Sequence, residues 1–250
     1  MMKPSFVHVH RPLLTVMISE ATIEADKVVI ANAIYGGAEA FCIQLEKLAP
    51  EYRTLEQLKD LFAECHGRPI YITAYREGLN DEQCVELLLL GLEAGATLCD
   101  IMGDMYHSEK SQMTFDQAAV AKQKALIDTI HSRGGEVLMS AHLPDYLDPE
   151  TVMAYAHAQA ERGADVVKIV SWAKDEQQMM ANINLAHRMR CELDRPFLFL
   201  NVGECGMLLR QIGPALGACL YLCQERYIEG RGSGQPLLTS AKKIREGMGL

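Results

Sequence analysis

Gly163-Ala164-Asp165-Val166-Val167-Lys168-Ile169-Val170-Ser171 is the stretch on which the fold turns. A helix runs out at Arg162-Gly163, where glycine supplies the left-handed residue that closes helices. The run after it is apolar and β-branched, which reads as a buried strand. One lysine, Lys168, stands in its middle. A buried ammonium is costly unless it is paired or neutralised, so a lysine in a barrel or sheet core has a reason to be there.

The same helix-to-strand step recurs at Gly37-Ala38-Glu39 and Gly95-Ala96-Thr97. Around these steps, short apolar runs alternate with longer amphipathic ones. Strands are predicted over 13–19, 40–45, 69–75, 97–102, 136–142, 165–172, 196–202 and 218–224. Helical stretches between them include 54–65, 81–94, 115–132, 149–162 and 175–191. Thr54 reads as an N-cap, and Asp148 caps a helix whose first residue is Pro149. Gly95, Gly134 and Gly163 close helices. Eight βα units in 250 residues read as an α/β (β/α)₈ TIM barrel, a single domain over 1–250. A doubly wound open sheet is the alternative, weakened because no glycine-rich dinucleotide fingerprint follows the first strand. Residues 1–12 are read as a small extra hairpin or strand.

A net charge of −9 argues against nucleic-acid phosphates or an anionic membrane as partners. No apolar run is long enough to span a bilayer, and the N-terminus lacks a signal-peptide pattern. The eight cysteines lie mostly in apolar patterns without a CxxC pair, as in a reduced cytoplasmic protein.

In a barrel the active site lies at the C-terminal strand ends. The polar residues there are Gln44, Arg76, Asp100, His142 and Lys168, with Arg210 on a short helix after strand seven. Ser233 and Gln235 sit in a polar loop after strand eight that reads as a lid. Lys168 has a plain reading, an edge lysine reaching solvent or pairing with a carboxylate. Its position on a barrel strand favours the other, an imine-forming nucleophile. That role needs an uncharged amine near pH 7, about 4–5 kcal/mol of environment. Strands five and six put His142 on the same rim, and such a pair suits chemistry next to a carbonyl. Arg210 reads either as a surface arginine or as a fork for a substrate carboxylate.

Glu136-Val-Leu-Met-Ser-Ala-His142, Gly-Ala-Asp-Val-Val-Lys168-Ile, the turn ending in Arg210 and Gly234-Gln235 together resemble type I 3-dehydroquinate dehydratase, in order and spacing over about the whole chain. The resemblance implies a homodimeric barrel of the shikimate pathway that needs no metal or organic cofactor. It implies that Lys168 forms an imine with the substrate ketone. His142 removes the α-proton and helps water depart, giving 3-dehydroshikimate. Arg210 clamps the carboxylate, and Gln235 and Ser233 lie in the closing loop. Several positions depart from the family pattern. Strand two carries Cys42-Ile43-Gln44 where the family has Glu-x-Arg. The strand-three arginine falls on Tyr75, or on Arg76 after a one-residue shift. The histidine-orienting glutamate has no clean counterpart, and a strand-eight aromatic becomes Leu222. A site built to hydrogen-bond hydroxyls discriminates by them, so these changes bear on the substrate more than on the reaction type.

Three other functions compete. One is a Schiff-base lyase or aldolase acting on a different oxo-acid. Another is a non-catalytic relative that binds a small acid. The third is a metal hydrolase, suggested by His8-Val9-His10, although that motif precedes the first strand instead of ending it.

Overall fold

The computed structural model describes residues 4–227 and 234–250. The strands are β1 (Leu13–Ile18), β2 (Ala40–Gln44), β3 (Ile70–Thr73), β4 (Leu98–Met102), β5 (Glu136–His142), β6 (Val166–Trp172), β7 (Phe197–Val202) and β8 (Leu220–Cys223). The helices are α1 (Ile23–Gly36), α2 (Leu55–Ala63), α3 (Asp81–Ala94), α4 (Gln117–Ser132), α5 (Pro149–Glu161), α6 (Glu176–Glu192), α7 (Met207–Ile212) and α8 (Leu238–Gly247). All strand pairs in the ladder β7-β6-β5-β4-β3-β2-β1-β8 are parallel. A single bridge, Phe197 to Ala218, brings β7 to the start of β8 and nearly closes the ring. This is the expected TIM barrel.

Side-chain alternation divides the core in two. One parity of each strand faces the ring interior: Cys42, Tyr71, Leu98, Leu138, Val166, Leu198 and Leu220 pack together there. The opposite parity, including Val16, Ile43, Ile72, Ile101 and Val137, packs under the helices. Near β6, Val167 and Ile169 join Phe197, Phe199, Ala186 and Met189 in a second outer cluster. Lys168 falls on the inward parity between Val166 and Val170, so burial of its flanking residues forces the amine into the ring.

The caps form as read. Thr54 accepts from the Gln57 amide at 3.3 Å, and Asp148 accepts from the Thr151 amide at 3.0 Å. Gly95 and Gly163 take φ of 120° and 107°, the conformation a β-carbon disfavours. The N-terminal segment differs from the expected hairpin or strand. Its described residues, 4–12, form neither. Instead Phe6, only 1% exposed, packs edge-on to Tyr71 at 6.4 Å. Its amide donates to Glu136 Oε2 at 2.8 Å, so the segment closes the lower end of the barrel. Among the described residues, no helix is long and apolar enough to cross a membrane.

Candidate active site

The upper end of the ring holds a cavity of about 170 Å³. Late strand residues line it: Met17, Gln44, His142, Val170 and Val202, with Tyr75 just past β3. Lys168 forms its floor, and Arg210 and Gln235 reach in from beyond β7 and β8. The structure thus gathers Lys168, His142, Arg210, Gln235 and Gln44 around one space. Ser233 lies outside the described residues. Arg76 is placed elsewhere. Its Nε donates to Asp81 at 2.6 Å and its Nη1 to the buried Asp104 at 2.8 Å, which holds the head group at the rim outside the cavity wall.

Lys168 is 4% exposed and does not stand alone. Its Nζ lies 3.1 Å from Asp100 Oδ2, 2.9 Å from the Tyr71 hydroxyl and 2.8 Å from that of Tyr75. Both hydroxyls also donate to the same Asp100 oxygen, Tyr75 at 2.7 Å. Burial pushes the Asp100 carboxyl up, but the lysine charge and the hydroxyls of Ser140, Tyr71 and Tyr75 outweigh it and hold the group below its usual range. An ionised carboxylate with no exposure needs a cation beside it, so the geometry is that of a buried ion pair. The amine expected to be uncharged is therefore paired with a carboxylate. Sequence reading noted Asp100 as a strand-end polar residue and gave it no role. Tyr71 passed unnoticed because an aromatic inside a strand reads as core. The usable signal was spacing: Tyr71 and Tyr75 stand four apart in the run read as strand 69–75, and so on one parity of it.

His142 ends β5 beside the end of β6, its register partner being Val170. Its ring meets that of Tyr75 edge to face, centroids 5.3 Å apart. The same tyrosine therefore touches the lysine by its hydroxyl and the histidine by its ring. Burial first, then the charges of Lys168 and Arg210, push His142 down to about 3, against a raising effect of Asp100. At neutral pH the ring is uncharged. Among the described residues no carboxylate hydrogen-bonds the ring. Glu77 instead pairs with Lys47 at the surface, and Gln112 from the loop after β4 meets the ring.

Arg210 is 5% exposed. Its Nε donates to the Asn201 carbonyl at 2.5 Å and its Nη1 to Gln235 Oε1 at 2.8 Å. No carboxylate pairs with it among the described residues, and burial alone pulls it down to about 10. It stays charged at neutral pH, a guanidinium facing a cavity with no carboxylate among its described lining residues. Burial pushes the Cys42 thiol up, so it serves as neutral wall. Trp172 donates to the Leu143 carbonyl at 2.8 Å and packs under that loop, away from the cavity wall.

His8 and His10 precede β1, at the end of the barrel opposite the cavity. The described residues contain no group of three or more histidine, cysteine or acidic side chains arranged to hold a metal.

The 3-dehydroquinate dehydratase of Syntrophotalea carbinolica is 29% identical over 111 residues. That match covers 42% of this chain and 42% of the relative's length. The crystal structure of 3-dehydroquinate dehydratase from Geobacillus kaustophilus superposes with a TM-score of 0.82 at 14% identity, covering 97% of this chain and 93% of that one. The type I enzyme from Clostridium difficile, solved with covalently modified comenic acid, gives 0.81 at 14% identity, covering 97% and 94%. At such identities the superpositions speak for the fold. A type I 3-dehydroquinase family model matches residues 15–248, and the chain belongs to that family.

Proposed function

We propose that this barrel is a Schiff-base-forming dehydratase that converts 3-dehydroquinate to 3-dehydroshikimate. The observation that carries the reading is one cavity holding a buried amine, an uncharged imidazole and a guanidinium that no carboxylate of the described residues pairs. Arg210, with Gln235 beside it, takes the substrate carboxylate, and Gln44 faces the ring substituents. Arg76, already committed to two carboxylates, steadies the rim.

Lys168 first gives up a proton. As its charge leaves, the buried Asp100 loses the neighbour that keeps it ionised, so the proton passes across the pair. The free amine adds to the ketone carbon, and the ketone oxygen leaves as water with one proton from the amine and the one held on Asp100, forming an iminium. His142 removes the α-proton, and the C–H electron pair flows to the iminium nitrogen. The enamine then expels the β-hydroxyl, which leaves as water with the proton from His142. Hydrolysis of the conjugated iminium returns the enone and the amine. The net change is loss of one water.

Incubation with 3-dehydroquinate tests this by the rise of enone absorbance. Lys168→Ala and His142→Ala are expected to abolish the rise. Arg210→Met is expected to raise KM about 30–150-fold, the loss of about 2–3 kcal/mol from a charged hydrogen bond. A silent wild type would move the assignment to another oxo-acid.

Cys42, Leu200, Val202 and Leu222 give the cavity a largely apolar wall, which favours that second reading: a lyase or aldolase for a less hydroxylated oxo-acid. A homodimer, the cytoplasm and the shikimate pathway follow from the family reading. Light scattering tests the dimer.

A further inference from the structure

We propose that Gln112 is the positioning residue for His142, holding the ring with its proton on Nδ1 and so leaving Nε2 as the base. This rests on the dehydratase reading for its catalytic meaning, while the proton on Nδ1 stands on geometry.

Gln112 Oε1 lies 3.0 Å from the backbone N–H of His142 and 2.7 Å from its Nδ1. A backbone N–H only donates, so the glutamine atom it meets is the oxygen and the amide's orientation is settled. That oxygen only accepts, so Nδ1 carries hydrogen. The ring is neutral at working pH and has one proton to place, so Nε2 keeps its lone pair.

Gln112 itself is held for the task. Its φ of 47° is left-handed, a conformation that costs a non-glycine residue energy and persists where the surroundings impose it. The loop that carries it is pinned by Asp104, which accepts from Arg76 and from the Glu109 amide at 2.8 Å. The Gln112 amide in turn donates to the Glu109 carbonyl at 3.0 Å. An amide, unlike a carboxylate, fixes the tautomer without adding a negative charge that would favour imidazolium. The groups facing His142 are then Lys168 from β6, Asp100 from β4, Arg210 from α7 and the Tyr75 ring.

Ring ¹⁵N NMR on the full-length protein without substrate tests the assignment. The wild type is expected to show a protonated Nδ1 and an unprotonated Nε2. Gln112→Ala is expected to move the ring toward the Nε2–H form, and to lower kcat about 10–100-fold with KM within threefold. Gln112→Glu keeps the acceptor, so it is expected to retain the Nδ1–H form and raise the titration midpoint of His142 by more than one pH unit. A wild-type ring protonated on Nε2, or a tautomer unchanged in Gln112→Ala, would overturn the proposal. Borohydride trapping of Lys168 does not depend on the tautomer, so it tells failure of the imine reading apart from failure of this one.

Discussion

Lys168→Met is expected to abolish turnover and to destabilise the fold by about 3–5 kcal/mol, the cost of leaving a buried charge without its partner. Methionine fills much the same volume, so little of this loss comes from an empty cavity. What remains is Asp100, with no exposure and only tyrosine hydroxyls around its paired oxygen. The carboxyl must then either stay charged without a cation or take up a proton. The double variant Lys168→Met/Asp100→Asn is expected to recover most of the stability and none of the activity, because the amide is neutral. Urea unfolding of the wild type and both variants reads the stability. If the single variant were as stable as wild type, the ion pair would not be the buried interaction described.

The second large effect is loss of stability in acid. His142 is held at about 3 in the fold, against an ordinary histidine value of 6.5. The unfolded chain therefore binds a proton that the folded chain refuses, so stability rises with pH across that interval. The stability is fully present above about 6.5 and is lost as pH falls towards 3, with a limit of about 4–5 kcal/mol. Asp100 adds in the same direction, starting below its ordinary carboxylate value, because its folded form is held lower. Glu46 opposes them. Burial raises its carboxyl, so protonation relieves a cost there as pH falls. Unfolding curves at pH 7, 5.5 and 4.5 check this. His142→Gln is expected to flatten the slope between pH 6.5 and 4.5, and an unchanged slope would count against a buried neutral ring.

Much of the fold was legible because burial writes itself into apolar runs. The strand read at 136–142 is Glu136–His142 in the structure, and the helix at 81–94 is Asp81–Ala94. α1 was not singled out, and its exposed Val28 and Tyr35 explain why: apolar residues on the outer face blur the helical period. β3 ends at Thr73, before the expected Tyr75, because the chain turns there to deliver Tyr75 and Arg76 to the rim. In the site, Lys168 and His142 were visible through strand parity, since an inward polar residue on a barrel strand has few uses. Asp100 obeys the same rule and was seen without a role. Gln112 was not legible. It reaches the site from a loop, at a left-handed residue, and no periodic pattern marks such a position. Arg76 matched a family position by proximity in sequence, but two nearby carboxylates claim its guanidinium.

The most direct measurement is borohydride reduction in the presence of 3-dehydroquinate, followed by mass mapping of the peptide that carries Lys168. A stable adduct on Lys168, absent from Lys168→Met and absent without borohydride, is the expected result. Turnover of 3-dehydroquinate with no adduct on that lysine would contradict the imine at the centre of this account.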